Sequence, residues 1–125
     1  MQKVGVWEPS EPVPAGEWER RLAASEAEIV AVLEPDQDEV LPALVLQLGD
    51  ASLISAYSPV TDALKVVLDG LVVDSIDRDD VVELRPPFAF RVKSALPVIK
   101  ALDPGQPIDL LEALAASIKP VVFRP

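Results

Sequence analysis

Carboxylates are the side chains of this sequence whose types and spacing come nearest to chemistry. Asp74, Asp77, Asp79, Asp80 and Glu83 form its densest acidic cluster. Hard cations take oxygen ligands, so Asp77, Asp79 and Asp80 are the residues to weigh for calcium or magnesium, against a default of no metal. The spacing departs from an EF-hand loop, because the glycine after the Asp-x-Asp core and the distal glutamate are missing. A charged turn between two strands gives the same residues for structural reasons. Histidine and cysteine are absent. Their absence removes the usual general base, the commonest metal ligand, and zinc and iron–sulfur sites of ordinary type. The five glycines are isolated, so there is neither a phosphate loop nor a dinucleotide fingerprint. No G-x-S-x-G or S-x-x-K pattern occurs. Tyr57, the only tyrosine, reads as a sheet residue with a wet hydroxyl. Paired-carboxylate hydrolysis needs two acids at a fixed separation across a cleft, which a sequence does not display. The expectation is therefore no catalytic residue, no cofactor and no enzyme.

The net charge of −10 is unevenly placed. Residues 1–84 carry 18 acidic and 5 basic side chains, whereas residues 85–125 carry 6 basic and 3 acidic. Arg85, Arg91, Lys93 and Lys100 follow one another with no acid between them. This basic stretch either sits against the protein's own acids or docks an acidic partner surface. Phosphate neutralisation dominates nucleic-acid affinity, so an acidic chain is a poor nucleic-acid binder. No uncharged run approaches the length of a membrane span. The N-terminus has Lys3 but no apolar signal core, which points to a cytoplasmic, soluble protein.

The elements that must position these groups read as follows. Residues 1–16 carry Pro9, Pro12 and Pro14 and predict an extended, proline-rich arm leading into a single globular domain over 17–125. Trp7 on that arm either packs on its own domain or anchors in a partner's pocket. Pro9-x-x-Pro12 matches the core of proline-rich ligands. Trp18, Leu22, Ile29 and Leu33 repeat at helical spacing and predict a helix over 17–34, stopped by Pro35. Leu44–Leu48 and Ser52–Tyr57 flank Gly49-Asp50 and read as a hairpin. A helix from Asp38 competes, since Val40, Leu41, Leu44, Val45 and Leu48 also fit a 3.6 period. Asp69-Gly70 between two Val/Leu-rich runs predicts a type I′ hairpin. Its rival is a helix opened at Ser58 and capped by Gly70. Val81–Leu84 and Phe88–Val92 read as further strands, separated by Pro86-Pro87. Helices are predicted from Ser94 to Leu102 and over 107–119, and Val121–Phe123 forms an apolar tail.

Together these give an α+β fold: an antiparallel β-meander over about 43–92, covered by one N-terminal and two C-terminal helices. A mainly α fold is the alternative. The missing catalytic types, the arm and the tail point to a non-enzymatic interaction or structural subunit of a larger assembly. Its contacts would be Trp7, Pro9, Pro12, Val122 and Phe123, with Arg85, Arg91 and Lys93 as the charged ones. A protein partner or a second copy of the chain is expected, with no small-molecule substrate. A phage-type assembly factor or an immunity-type protein would be of this kind. The alternative function is an acidic inhibitor or nucleic-acid mimic that occupies a basic site.

Overall fold

The computed structural model describes residues 2–59, 64–68, 71–76 and 82–125. Its centre is a five-stranded mixed sheet built from Val4–Trp7 (β1), Ile29–Val32 (β3), Leu53–Pro59 (β4), Val82–Arg91 (β7) and Val121–Val122 (β9), in the order β1-β3-β7-β4-β9. Two short pairs stand outside it: Val13–Pro14 (β2) with Pro107–Ile108 (β8), and Leu64–Leu68 (β5) with Leu71–Ile76 (β6). Among the described residues there are four α-helices: Ala15–Ala24 (α1), Leu41–Leu48 (α2), Val92–Lys100 (α3) and Leu110–Ser117 (α4). The class is α+β, with one N-terminal and two C-terminal helices against the sheet. No helix among the described residues is long and apolar enough to cross a membrane.

The sheet separates two cores. Val30, Val32, Leu53, Phe88 and Phe90 face α1, α3 and α4, meeting Trp18, Leu22, Ala95, Ile99 and Leu114. Ile29, Ala31, Leu33, Ile54 and Ala89 face the other way, toward Leu44 and Leu48 of α2. This arrangement corrects the helix expected over 17–34. That helix ends at Ala24, with Ser25 as its cap. All four residues of Ile-Val-Ala-Val at 29–32 are buried. A helix with one apolar stripe would leave part of this run in water, whereas a central strand buries both of its faces. β3 therefore runs parallel to β1 and antiparallel to β7.

The expected hairpin around Gly49-Asp50 is also corrected, and the competing helical period prevails. A 3-10 helix over Pro35–Val40 leads into α2, and Gly49 follows its last turn at φ 51°. Leu44 and Leu48 lie one turn apart on the buried face, while Leu46 points outward. Within residues 1–16, expected as an extended arm, Val4–Trp7 is an edge strand of the sheet, Val13–Pro14 pairs with β8, and α1 begins at Ala15. Backbone N–H groups at the start of α1 are satisfied from afar: Ala15 donates to Gln106 O and Gly16 to Pro104 O, both at 2.9 Å.

The middle of the chain is not one meander. β4 pairs with β7, and β5 pairs with β6, Leu68 standing opposite Leu71. This strand pairing excludes the helix from Ser58 to Gly70; Asp69 and Gly70 themselves lie outside the described residues. The two strands expected on either side of Pro86-Pro87 are one strand. Ser55 stands opposite Phe88 and Ala56 opposite Arg85, so the two prolines have no partner in the β4 register. Proline offers no N–H to a ladder, and an irregularity of this kind is where a strand tolerates it. The fully buried Ser55 hydroxyl closes the gap, 2.8 Å from Ala56 O and 3.2 Å from Arg85 O.

α3 begins at Val92, two residues before the expected Ser94, whose hydroxyl instead meets that of Ser52 at 2.9 Å. α4 begins after Asp109 rather than at Pro107, because Pro107 and Ile108 pair with β2.

Candidate functional site

β1, β3 and β4 all run in one direction, and β7 runs against them. The C-terminal ends of the parallel strands and the start of β7 therefore share one edge of the sheet. In open α/β sheets this is the edge outside which ligands bind. A cavity of about 310 Å³ lies there. Glu8 follows β1, Glu34 follows β3, Glu83 and Arg85 open β7, and Asp109 precedes α4. These five charged side chains are exposed and form the rim. The floor is apolar: Trp18, Val32, Phe88, Leu110 and Leu111 are buried.

The floor is held by aromatic packing. Trp7 stacks on Trp18 with ring centroids 6.3 Å apart and meets Phe90 edge-on at 6.4 Å. Phe88 stacks on Phe90 at 6.2 Å. Trp18 Nε1 donates to Ile108 O at 3.1 Å, and the Arg21 guanidinium lies 5.1 Å from the Trp18 ring centroid. The second ring is thus fixed on one side by a hydrogen bond and on the other by a cation. Asp109 is partly committed to structure, since its Oδ2 accepts from Glu112 N at 2.9 Å and caps α4. Chemically, the rim offers acceptors for hydroxyl donors and a single guanidinium for an anion, above a floor suited to an apolar body.

The predicted contact residues are not brought together. Pro9 and Arg85 line the cavity, and Pro12 lies exposed between β1 and β2. Trp7 is half-buried in the aromatic stack. Val122 is 36% exposed on the short edge strand β9, whereas Phe123 is 3% exposed and belongs to the α2 core. Arg91 and Lys93 stand at the opposite end of β7 from Arg85. Arg91 is spent locally: its Nε donates to Ala51 O at 3.0 Å, and its Nη2 donates to Gly49 O. Asp77, Asp79 and Asp80 lie outside the described residues. Among the described residues no group of three or more carboxylates is placed to hold a metal ion.

Sequence reasoning missed Glu8, Glu34 and Asp109 and the floor beneath them, and placed Glu83 only in the acidic cluster over 74–83. One signal was available. Val6-Trp7-Glu8-Pro9 and Val32-Leu33-Glu34-Pro35 are both apolar runs that stop at Glu-Pro. Read as two strand ends, they point to a shared edge. Reading 29–33 as helix hid that repetition.

Neither a protein-family model nor a curated protein matches the chain. Solved structures do. A 4-diphosphocytidyl-2C-methyl-D-erythritol synthase is 20% identical with a TM-score of 0.60, over 88% of this chain and 56% of its own. The 2-C-methyl-D-erythritol 4-phosphate cytidylyltransferase of Thermus thermophilus is 14% identical with a TM-score of 0.61, over 86% and 57%. The 4-diphosphocytidyl-2C-methyl-D-erythritol synthase of Anaerococcus prevotii is 21% identical with a TM-score of 0.62, over 82% and 52%. The chain thus spans about half the length of these proteins. The likeness is one of fold, and it corrects the reading of function. A non-enzymatic assembly subunit, or an acidic mimic, was expected, with no small-molecule substrate. The fold is instead one shared with solved enzymes, among them a cytidylyltransferase.

Proposed function

We propose that this chain is a cytidylyltransferase-like domain whose cavity takes a small phosphorylated polyol. One observation carries the reading: the cavity opens at the C-terminal edge of the parallel strands, on a fold shared with cytidylyltransferases. In this reading Arg85 meets the ligand phosphate. Glu8, Glu34 and Glu83 accept hydrogen bonds from its hydroxyls, and Phe88 and Leu111 contact its carbon chain. Ion pairing to Arg85 supplies affinity, while the carboxylates, which repel a second phosphate, restrict the ligand to a single anionic end.

The absence of histidine and cysteine does not oppose enzymatic action of this class. When a phosphate is the acceptor of a cytidylyl group, the attacking oxygen is already ionised, and no general base has to remove a proton. Nucleotidyl transfer then depends on positioning and on stabilising charge, which backbone and arginine groups provide. The sequence has no glycine-rich phosphate loop, so the proposal concerns the acceptor rather than the whole transfer. We place the protein in the cytoplasm, where phosphorylated metabolites are found.

The test is a two-dimensional NMR titration of the full chain with 2-C-methyl-D-erythritol 4-phosphate. Shifts should concentrate at Glu8, Glu34, Leu84, Arg85 and Leu111, and Arg85→Gln should weaken binding about tenfold. Binding that leaves those resonances unmoved, or no binding at millimolar ligand, would refute the assignment.

A further inference from the structure

The sheet ends on one side at β1 and on the other at β9, and the two edges are finished differently. β9 is two residues long and follows Pro120. β1 is the four-residue run Val-Gly-Val-Trp. It contains no proline and no charged side chain, and its register with β3 has no irregularity. Those are the devices that keep an edge strand from pairing with another chain. Among the described residues β3 is its only ladder partner.

The backbone of β1 divides by alternation. Lys3 O accepts from Glu28 N at 2.9 Å, and Trp7 O accepts from Leu33 N at 3.0 Å. Residues 3 and 7 thus turn their polar groups toward β3, and Gly5 between them does the same. The N–H and C=O groups of Val4 and Val6 therefore point away from the sheet. The two valine side chains share the α2 face. There Val4 packs against the core, and Val6 is 50% exposed. Outward backbone donors and acceptors run beside an uncovered apolar side chain.

We propose that β1 pairs antiparallel with β1 of a second copy of this chain, about a two-fold axis at Gly5. Val4 then stands opposite the second copy's Val6, and each such pair exchanges both N–H···O bonds. The outward groups of Val4 and Val6 all find partners, and each exposed Val6 meets a valine across the join. Gly5 faces Gly5 at the close, non-hydrogen-bonded position, with no side chain to interfere. Charge selects the same direction. Lys3 precedes the strand and Glu8 follows it. Antiparallel pairing brings these opposite charges together at each end, whereas parallel pairing would bring like charges together. Lys3 also stands opposite the second copy's Trp7, an ammonium beside an indole ring. Its own ion pair with Glu26, at 3.7 Å, is exposed and contributes little. This self-complementary register is what favours a second copy over an unrelated extended peptide. Pairing at β1 is independent of the polyol-phosphate reading, and its test needs no ligand.

Sedimentation equilibrium of the full chain between about 10 μM and 1 mM should show a monomer–dimer equilibrium with a Kd of about 100 μM, because one short strand pair buries little area. Isotope-filtered NOEs between labelled and unlabelled copies should join Val4 to Val6. Val6→Lys puts a charge on the edge at a half-exposed position and should raise Kd at least tenfold, with the circular dichroism spectrum unchanged. Lys3→Glu, at an exposed side chain outside the core, should raise it about threefold by placing like charges at each end. Leu46→Lys, at the other strongly exposed apolar side chain, should leave Kd as it is. A chain still monomeric at about 1 mM would overturn the proposal, including one whose β1 amides respond only to an added extended peptide. A dimer that Val6→Lys leaves intact, or one that Leu46→Lys dissociates, would overturn it as well.

Discussion

Leu44 and Leu46 provide a direct test of the physical argument for α2. In a strand over 44–48 their side chains would share one face, because the period is two. In the helix they diverge: Leu44 is 0% exposed and Leu46 is 81% exposed. Leu44→Ala removes side-chain atoms from a core that includes Leu48, Ile54, Ala89 and Phe123. The lost transfer energy and the cavity left behind cost about 2–5 kcal/mol. Leu46→Ala removes atoms already in water and replaces leucine with the best helix former, so its effect is within about 0.5 kcal/mol of zero. Urea unfolding followed by circular dichroism measures both. With a slope of about 2 kcal/mol per molar urea, a loss of about 3 kcal/mol lowers the midpoint by about 1.5 M. Leu46→Ala should hardly move it, and both variants should keep the slope. Comparable losses in the two variants would refute the helix and restore the strand.

Three other outcomes follow from particular contacts. Gly49→Ala should cost about 1–2 kcal/mol by the same urea assay, because φ is 51° and an added Cβ has ordinary room, 3.9 Å from Leu46 O; the cost is conformational rather than steric. Asp109→Ala should lose about 1 kcal/mol through the cap on Glu112 N, whereas Asp109→Asn should keep nearly all of it, as read from thermal midpoints. Trp7→Ala should cost about 2–4 kcal/mol and alter the near-UV circular dichroism of Trp18, since it removes the stacked partner at 6.3 Å.

Much of the local structure was legible because local rules agreed with one another. Leu110, Leu111 and Leu114 at helical spacing, closed by Pro120, indicate α4, and Leu64–Leu68 and Leu71–Ile76 pair across Asp69-Gly70. Ser52–Tyr57 and Phe88–Val92 read as strands, and Leu53–Pro59 and the end of Val82–Arg91 are strands. The limits appear where one run satisfies two periods. Ile29–Val32 extends a helical stripe equally well by pattern, and only the presence of β1 on one side and β7 on the other makes a doubly buried strand the better solution. Leu41–Leu48 resolves in the opposite direction, because only one face of it meets the sheet.

What the sequence by itself determined was composition and its consequences: no thiol or imidazole chemistry, and a net negative charge with a basic C-terminal third. Only the tertiary structure decided where those charges converge. Glu8, Glu34, Glu83 and Asp109 are far apart in the chain, and they share one rim because a parallel pair of strands ends where an antiparallel strand begins. The basic stretch is divided for a related reason. Arg85 lies in the first half of a single strand and Arg91 ends it, so one lies beside the candidate site while the other is spent on the carbonyls of Gly49 and Ala51. Strand direction and register are set by burial on both faces of a sheet, a condition that exists only once the chain is folded.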